Sequence, residues 1–206
     1  MNQKEILLQS LKEKKFSSEI LEAFSKVKRE NFIPEDKKNY AYQDIALPIG
    51  LGQTISQPYT IAVMLSLLKL KKRQRVLEIG SGCGYALALI SEIVGKKGKV
   101  FGLEVREELV KNSKKNLKNH KNIEVYHGDG NFGLKDKAPF DRILISAAAQ
   151  KIPERLVSQL KQSGIIVAPI GKSYESTQTM TQFVKSKNKL VVKEKIPGFL
   201  FVPLLG

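Results

Sequence analysis

The sequence predicts an α/β fold: a doubly wound, mostly parallel sheet with helices on both faces, extra N-terminal helices and a C-terminal strand region. Three observations lead there. Apolar runs of strand length alternate with stretches of helical spacing between residues 75 and 168. Glycines at 80, 82 and 84 punctuate the passage from the first such run into a helix. Finally, Glu78, Glu104, Asp129 and Ser146 all fall at or just beyond predicted strand ends, the edge where parallel sheets bind ligands.

The elements follow in order. Met1 to Lys15 has helical spacing, with Ile6, Leu7, Leu8 and Leu11 on one side, and lacks the apolar core of a secretory signal. A helix is expected from near Pro58, since proline suits a first turn. Arg75-Val76-Leu77 begins a strand that delivers Glu78 to the glycine turn. Leu87, Leu89, Ile90, Ile93 and Val94 then mark a helix that Gly95 stops. Lys99 to Glu104 reads as a second strand, Glu107 to Leu117 as a helix, and Ile123 to His127 as a third strand entering Gly128-Asp129-Gly130. Phe140 to Ile145 makes a fourth strand, Pro153 opens a helix to about Leu160, and Gly164 precedes a buried strand, Ile165 to Ala168. Lys185 to Lys195 reads as a lysine-rich hairpin or edge.

At 206 residues the chain fits one domain, 1–206. Within it, 1–70 would hold the N-terminal helices and an active-site loop, 71–170 a cofactor-binding core, and 171–206 the C-terminal strands. No run reaches the ~18 apolar residues of a membrane span, so no membrane partner is expected. One cysteine, Cys83, permits no internal disulfide, which fits the cytoplasm. His120 and His127 lie far from any cysteine or acid cluster, and no metal is expected. The net charge of +15 invites a nucleic-acid reading. Lysines spread along helix faces supply most of it, while arginine, the better fork for phosphate and guanine, occurs only at 29, 73, 75, 106, 142 and 155. A solvated surface accounts for the charge, no specific nucleic acid is expected, and a monomer is.

The richest segment is Val76 to Tyr85. A strand, a glycine turn and a helix N-terminus form a cradle where backbone N–H groups and the helix dipole would face a ligand. Its spacing is not that of a dinucleotide fingerprint, because Tyr85 occupies the third-glycine place, and it lacks the Gly-Lys-Ser/Thr ending of a P-loop. The pattern acid-x-Gly-x-Gly-x-Gly resembles motif I of S-adenosylmethionine-dependent methyltransferases. That resemblance implies a Rossmann-like methyltransferase fold. It makes S-adenosyl-L-methionine the cofactor, with Glu78 near its ammonium and Gly80, Ser81, Gly82 and Gly84 against its amino acid end. Glu104 has the spacing of an acid that accepts from ribose hydroxyls, and a surface carboxylate capping the next helix is the alternative. Asp129 and Gly130 would stand near the adenine, although Gly-Asp-Gly equally suits a tight turn.

The acceptor is indicated elsewhere. Gly52-Gln53-Thr54-Ile55-Ser56-Gln57-Pro58-Tyr59 closely resembles the signature of the protein-L-isoaspartate O-methyltransferase family. Likeness continues through Arg29 to Pro34, Ala41 to Asp44, Leu47 to Gly50, His127 to Gly130, Ala138 to Asp141, Ser146 to Ala149, Ile152-Pro153 and Phe201 to Leu204. It departs at Gln150, where the family often has proline, and at Val105, where arginine is common. The resemblance implies methyl transfer to the free α-carboxylate of L-isoaspartyl residues in damaged proteins and peptides, initiating repair. It makes Ser56 the active-site hydroxyl, with helix capping as the alternative. Thr54, Ile55, Gln57 and Tyr59 would shape the cofactor pocket, Val105 would adjoin it, and Gln178 would be a C-terminal cofactor contact.

The runner-up is an RNA or other nucleic-acid methyltransferase. Adenine amino-group chemistry usually needs an Asn/Asp-Pro-Pro-aromatic loop, and Ser146 to Ala149 supplies none of it. Cytosine carbon-5 chemistry needs a cysteine nucleophile, whereas Cys83 lies inside the glycine turn. Ribose methylation stays open. So does a non-enzymatic cofactor-binding scaffold, against which the intact Glu78, glycine and Ser56 positions argue.

Overall fold

The computed structural model describes residues 2–172 and 177–205. Helices α1 (Gln3–Glu13) and α2 (Ser18–Lys26) come first, followed by the 3-10 turns Arg29–Phe32 and Glu35–Tyr40. A capping box starts α1: Asn2 Oδ1 accepts from Glu5 N while Glu5 Oε2 accepts from Asn2 N, each at 2.9 Å. Leu7 and Leu11 are buried as the spacing predicts, but Ile6 is 53% exposed, so the apolar stripe is narrower than the sequence suggests.

A two-stranded antiparallel hairpin, β1 (Leu47–Gly50) and β2 (Gln53–Ile55), leads into α3 (Pro58–Leu68). The core then alternates: β3 (Arg75–Ile79), α4 (Tyr85–Val94), β4 (Lys99–Glu104), α5 (Glu107–Asn116), β5 (Ile123–His127), β6 (Phe140–Ile145) and α6 (Glu154–Gln159). Strands β7 (Leu160–Ile170), β8 (Gln178–Ser186) and β9 (Lys189–Phe199) finish the chain. β7 begins five residues before Ile165, where the sequence predicted its start, and runs through Gly164. A Cβ at Gly164 would lie 2.7 Å from Leu160 Cγ, so the glycine permits the bend of a longer strand instead of marking its start.

One seven-stranded sheet has the order β5-β4-β3-β6-β7-β8-β9. The pairs from β5 to β7 are parallel, and β7–β8 and β8–β9 are antiparallel. Period-two alternation divides the core between two faces. Val76, Val100 and Leu144 join the cluster under α1 to α5, while Leu77, Ile79, Phe101, Ile143 and Ile145 join the other. That second face is covered by α6, through Leu156, and by Leu134 and Ala138 flanking the 3-10 turn Lys135–Lys137.

Strand order reverses between β3 and β6, which places a crevice beyond their carboxyl ends. There Ser146 N donates to Ile79 O at 2.9 Å, bringing the two strand exits side by side. Among the described residues no helix is long and apolar enough to cross a membrane.

Candidate active site

The glycine turn is dictated by backbone geometry. Gly80, Gly82 and Gly84 have φ of +74°, +50° and +87°, the left-handed region that side chains disfavour. Their tasks differ. Gly80 and Gly82 line the crevice, whereas Gly84 faces α5, where a Cβ would lie 2.5 Å from Ser113 Oγ. Tyr85 packs against Phe32 and Phe24, with ring centroids 5.3 and 6.2 Å apart. A dinucleotide glycine has no place there, as the sequence indicated. Close helix-to-strand approach comes instead from Gly102, whose Cβ would meet Leu87 Cδ1 at 2.6 Å.

The cradle differs from the expected one in a way that bears on its ligand. Gly80 N and Ser81 N both point to Leu103 O, at 2.8 and 3.3 Å, and Gly84 N donates to Ser81 O at 2.9 Å. Gly82 N donates to Glu104 Oε2 at 2.9 Å. These four N–H groups are spent within the protein and cannot hold phosphate. Two carboxylates, Glu78 and Glu104, stand beside the turn instead. The donor set suits a cationic, hydroxyl-bearing ligand and opposes a polyphosphate.

Glu78 is 2% exposed and accepts from Ser146 Oγ through Oε1 at 2.7 Å. Among the described residues its Oε2 is buried without a partner, as is Ser81 Oγ. Burial raises the Glu78 pKa to about 8, against the opposing Ser146 bond, with the nearby Glu104 charge adding to the rise. An orphaned carboxylate oxygen in such a hollow fits an ammonium group, which would restore its ionised form. Glu104 Oε1 also accepts from Arg106 N, at 3.0 Å, so this acid ties the glycine turn to the start of α5. Glu104 faces the crevice and binds the backbone before the helix, and at 6% exposed it is not a surface carboxylate.

Three contiguous hollows make up the site. The first, about 520 Å³, runs from Gly80 and Gly82 past Glu104, Val105 and Arg106 to Gly128 and Gly130, with Val202 to Leu205 as its far wall. The second, about 990 Å³, is lined by Ala46, Ser56, Gln57, Tyr59 and Thr60 opposite Ile196 to Val202. The third joins Ser56 and Ile55 to Glu78 and Ser81. Thr54 and Ser146 line all three and mark the junction.

Several expected residues occupy other positions. Gln57 and Tyr59 line the second hollow with Ser56, away from Glu104. Asp129 closes a local turn, with Oδ1 accepting from Asn131 N at 2.7 Å and Nδ2 at 3.0 Å, and only its neighbours Gly128 and Gly130 line the crevice. Gln178, fully buried, accepts from Phe201 N at 2.7 Å and donates to Lys172 O at 2.8 Å. It fastens the C-terminal tail and lines none of the three hollows. Ser56 is not the cap of α3: Gln57 takes the N-cap position, and Asp44 Oδ1 accepts from Tyr59 N at 2.8 Å. Its hydroxyl is thus relieved of that task.

The sequence reading also missed residues. It gave no role to Ile49, Arg106, Ala147 or the tail Val202 to Leu205, which wall the crevice. The tail carried a signal in its family-like block, but only the tertiary fold shows where it returns: Ala148 N donates to Val202 O at 2.8 Å, and Leu204 N to Ala148 O at 2.9 Å.

Known proteins match this arrangement along its whole length. The family model for protein-L-isoaspartate(D-aspartate) O-methyltransferase matches residues 2–206. The protein-L-isoaspartate O-methyltransferase of Methanothrix thermoacetophila is 42% identical over 205 residues, covering 98% of this chain and 95% of the relative. That of Petrotoga mobilis is 46% identical over 200 residues, covering 95% and 92%. A solved protein-L-isoaspartate O-methyltransferase superposes with a TM-score of 0.91 at 32% identity, covering 98% of this chain and 66% of its own. A putative enzyme of the same name from Plasmodium falciparum, solved in complex with S-adenosyl-L-homocysteine, gives a TM-score of 0.84 at 27% identity, covering 100% and 99%. The chain belongs to the protein-L-isoaspartate(D-aspartate) O-methyltransferase family.

Proposed function

We propose that this protein transfers a methyl group from S-adenosyl-L-methionine to the free α-carboxylate of L-isoaspartyl residues in damaged proteins and peptides, initiating their repair. The observation that carries the reading is the meeting of three hollows at Thr54 and Ser146: one runs past Glu104, one is bordered by Ser56, and the third joins Ser56 to the orphaned buried carboxylate of Glu78.

Glu78 would hold the cofactor's ammonium, Glu104 its ribose hydroxyls, and Gly80 and Gly82 its amino acid end. The bound cofactor supplies a methyl carbon on a sulfonium: a carboxylate oxygen bonds to that carbon as the carbon–sulfur bond breaks, and its electron pair passes to sulfur. The acceptor carboxylate is already ionised at neutral pH, so the protein needs no general base. The work left to the chain is alignment and the exclusion of water. Ser56 Oγ would donate to one acceptor oxygen and leave the other free to attack. Among the described residues no cationic side chain lines the second hollow. Neutral donors there orient a carboxylate without drawing charge from its attacking oxygen.

The same lining supports the absence of a specific nucleic-acid partner, because a polyanion cleft needs lysines and arginines. A monomer is supported by Lys189, Lys193 and Lys195, exposed on edge strand β9, where charge opposes pairing between edges. We read the chain as a single domain acting in the cytoplasm, which its lone cysteine supports.

The test is methyl turnover with matched peptides carrying isoaspartate or ordinary aspartate. Turnover confined to the isoaspartyl peptide is expected. Equal methylation of both, or transfer to RNA alone, would overturn the reading.

A further inference from the structure

Arg29 is an arginine sealed inside the protein, with no carboxylate in ion-pair contact among the described residues, although the charge of Asp44 acts on it from farther off. It lies in the 3-10 turn Arg29–Phe32 and is 0% exposed. Nη1 donates to Ala41 O at 2.7 Å and Gln43 O at 3.4 Å. Nη2 donates to Ile45 O at 3.0 Å and Ser56 O at 3.1 Å. Nε has no partner. Burying a cation whose hydrogen bonds all go to carbonyl groups is costly, and an apolar side chain would fill the space more cheaply.

What the guanidinium provides is a rigid planar fork with donors aimed in two directions. Its four acceptors belong to two stretches of chain, residues 41–45 and residue 56, which are separated in sequence by the β1–β2 hairpin. Both stretches border the second hollow, since Ala46 follows Ile45 and lines it together with Ser56. A second tie joins the same stretches, through Asp44 Oδ1 and Tyr59 N. None of the four contacts touches Glu78, Glu104 or the glycine turn.

The geometry points to Arg29 as a positioning residue for the acceptor site: its guanidinium clamps residues 41–45 to the Ser56 backbone and so fixes where the Ser56 hydroxyl stands. Lysine keeps the charge but presents one compact head on a flexible stem, which cannot span both stretches. The inference rests on the reading of Ser56 as the acceptor-site hydroxyl.

The experiment compares Arg29→Lys with the unaltered protein in two assays. A displacement of about 1 Å at the reacting atoms costs about 100-fold in rate, so kcat/KM for an isoaspartyl peptide is expected to fall by about that factor in the folded variant. Affinity for S-adenosylhomocysteine, measured by calorimetry, is expected to stay unchanged. Unchanged turnover in a folded variant, or equal losses in both assays, would overturn the proposal. A second measurement needs no variant: amide hydrogen exchange in the unaltered protein should show residues 41–45 and 54–57 opening together. Independent opening of the two stretches would also overturn it. Failure of the unaltered protein to methylate the isoaspartyl peptide would instead defeat the reading of the acceptor site and leave the exchange result standing.

Discussion

Ser146 donates its hydroxyl hydrogen to Glu78 Oε1 across 2.7 Å, joining the end of β6 to the end of β3 beneath the glycine turn. The bond opposes the effect of burial, favouring the ionised form of an acid whose other oxygen has no partner. Ser146→Ala is therefore expected to weaken cofactor binding at neutral pH. A hydrogen bond to a charged group contributes about 1.5–3 kcal/mol, so affinity for S-adenosylhomocysteine should fall on the order of 10- to 100-fold by calorimetry. Affinity equal to that of the unaltered protein would remove Ser146 from cofactor binding.

The raised Glu78 pKa makes cofactor binding a proton-linked event. With a pKa of about 8 the empty site is largely protonated at pH 7, and an ammonium ligand would draw the carboxyl to its ionised form. Calorimetric titrations at pH 7 in two buffers of different ionisation enthalpy should reveal net proton release. Glu78→Gln should abolish that release. The sign for stability follows from the same shift. Between the ordinary 4.5 and about 8, the folded empty protein holds a proton that the unfolded chain has lost. The Glu78 contribution to stability therefore falls as pH rises through that window.

Ser56→Ala tests the acceptor side. Asp44 serves the N-terminus of α3, so the substitution removes no helix cap and should leave melting temperature nearly unchanged. Loss of one hydrogen bond to the acceptor is expected to lower kcat/KM for an isoaspartyl peptide by about tenfold. A fall in S-adenosylhomocysteine affinity by the same factor would contradict the division of labour between the hollows.

Gly80 and Gly84 of the turn should not respond alike to alanine. At Gly80 the nearest atom to an added Cβ is Ala147 Cβ at 3.7 Å, so only the left-handed backbone is strained, at about 1–2 kcal/mol. At Gly84 the added carbon would also collide with Ser113 Oγ at 2.5 Å and Leu117 Cδ1 at 2.7 Å. Overpacking adds about 1–3 kcal/mol, so chemical denaturation should find Gly84→Ala the less stable of the two. The reverse order would mean that α5 yields more readily than this packing implies.

Most of the parallel core was legible because each element there is written locally. The span Phe140–Ile145 was read off at its observed bounds, and Gly95 stops α4 with φ of +73°. β7 was misjudged because Gly164 reads as a boundary until its neighbour Leu160 is seen pressing against it. In the site, positions set by strand ends were accessible to the sequence: Glu78, Glu104 and Ser146 converge as a parallel sheet requires. Positions set by long-range closure were not. Arg29 carries no assigned role in the sequence, and gains one only when residues 41–45 and 56 fold around it. Asp129 bonds its neighbour Asn131, and Gln178 bonds Phe201 of the returning tail, contacts that the sequence did not foresee.

Val202 forms part of the wall of both the first and the second hollow, and its carbonyl is fastened to Ala148. With the cofactor in the first hollow and the acceptor in the second, as proposed, the two reactants would share a partition whose two sides cannot be altered separately. Any shift of this stretch that freed the spent cofactor would also change the shape around the new ester, and would so couple the departures of the two products through a single strip of backbone.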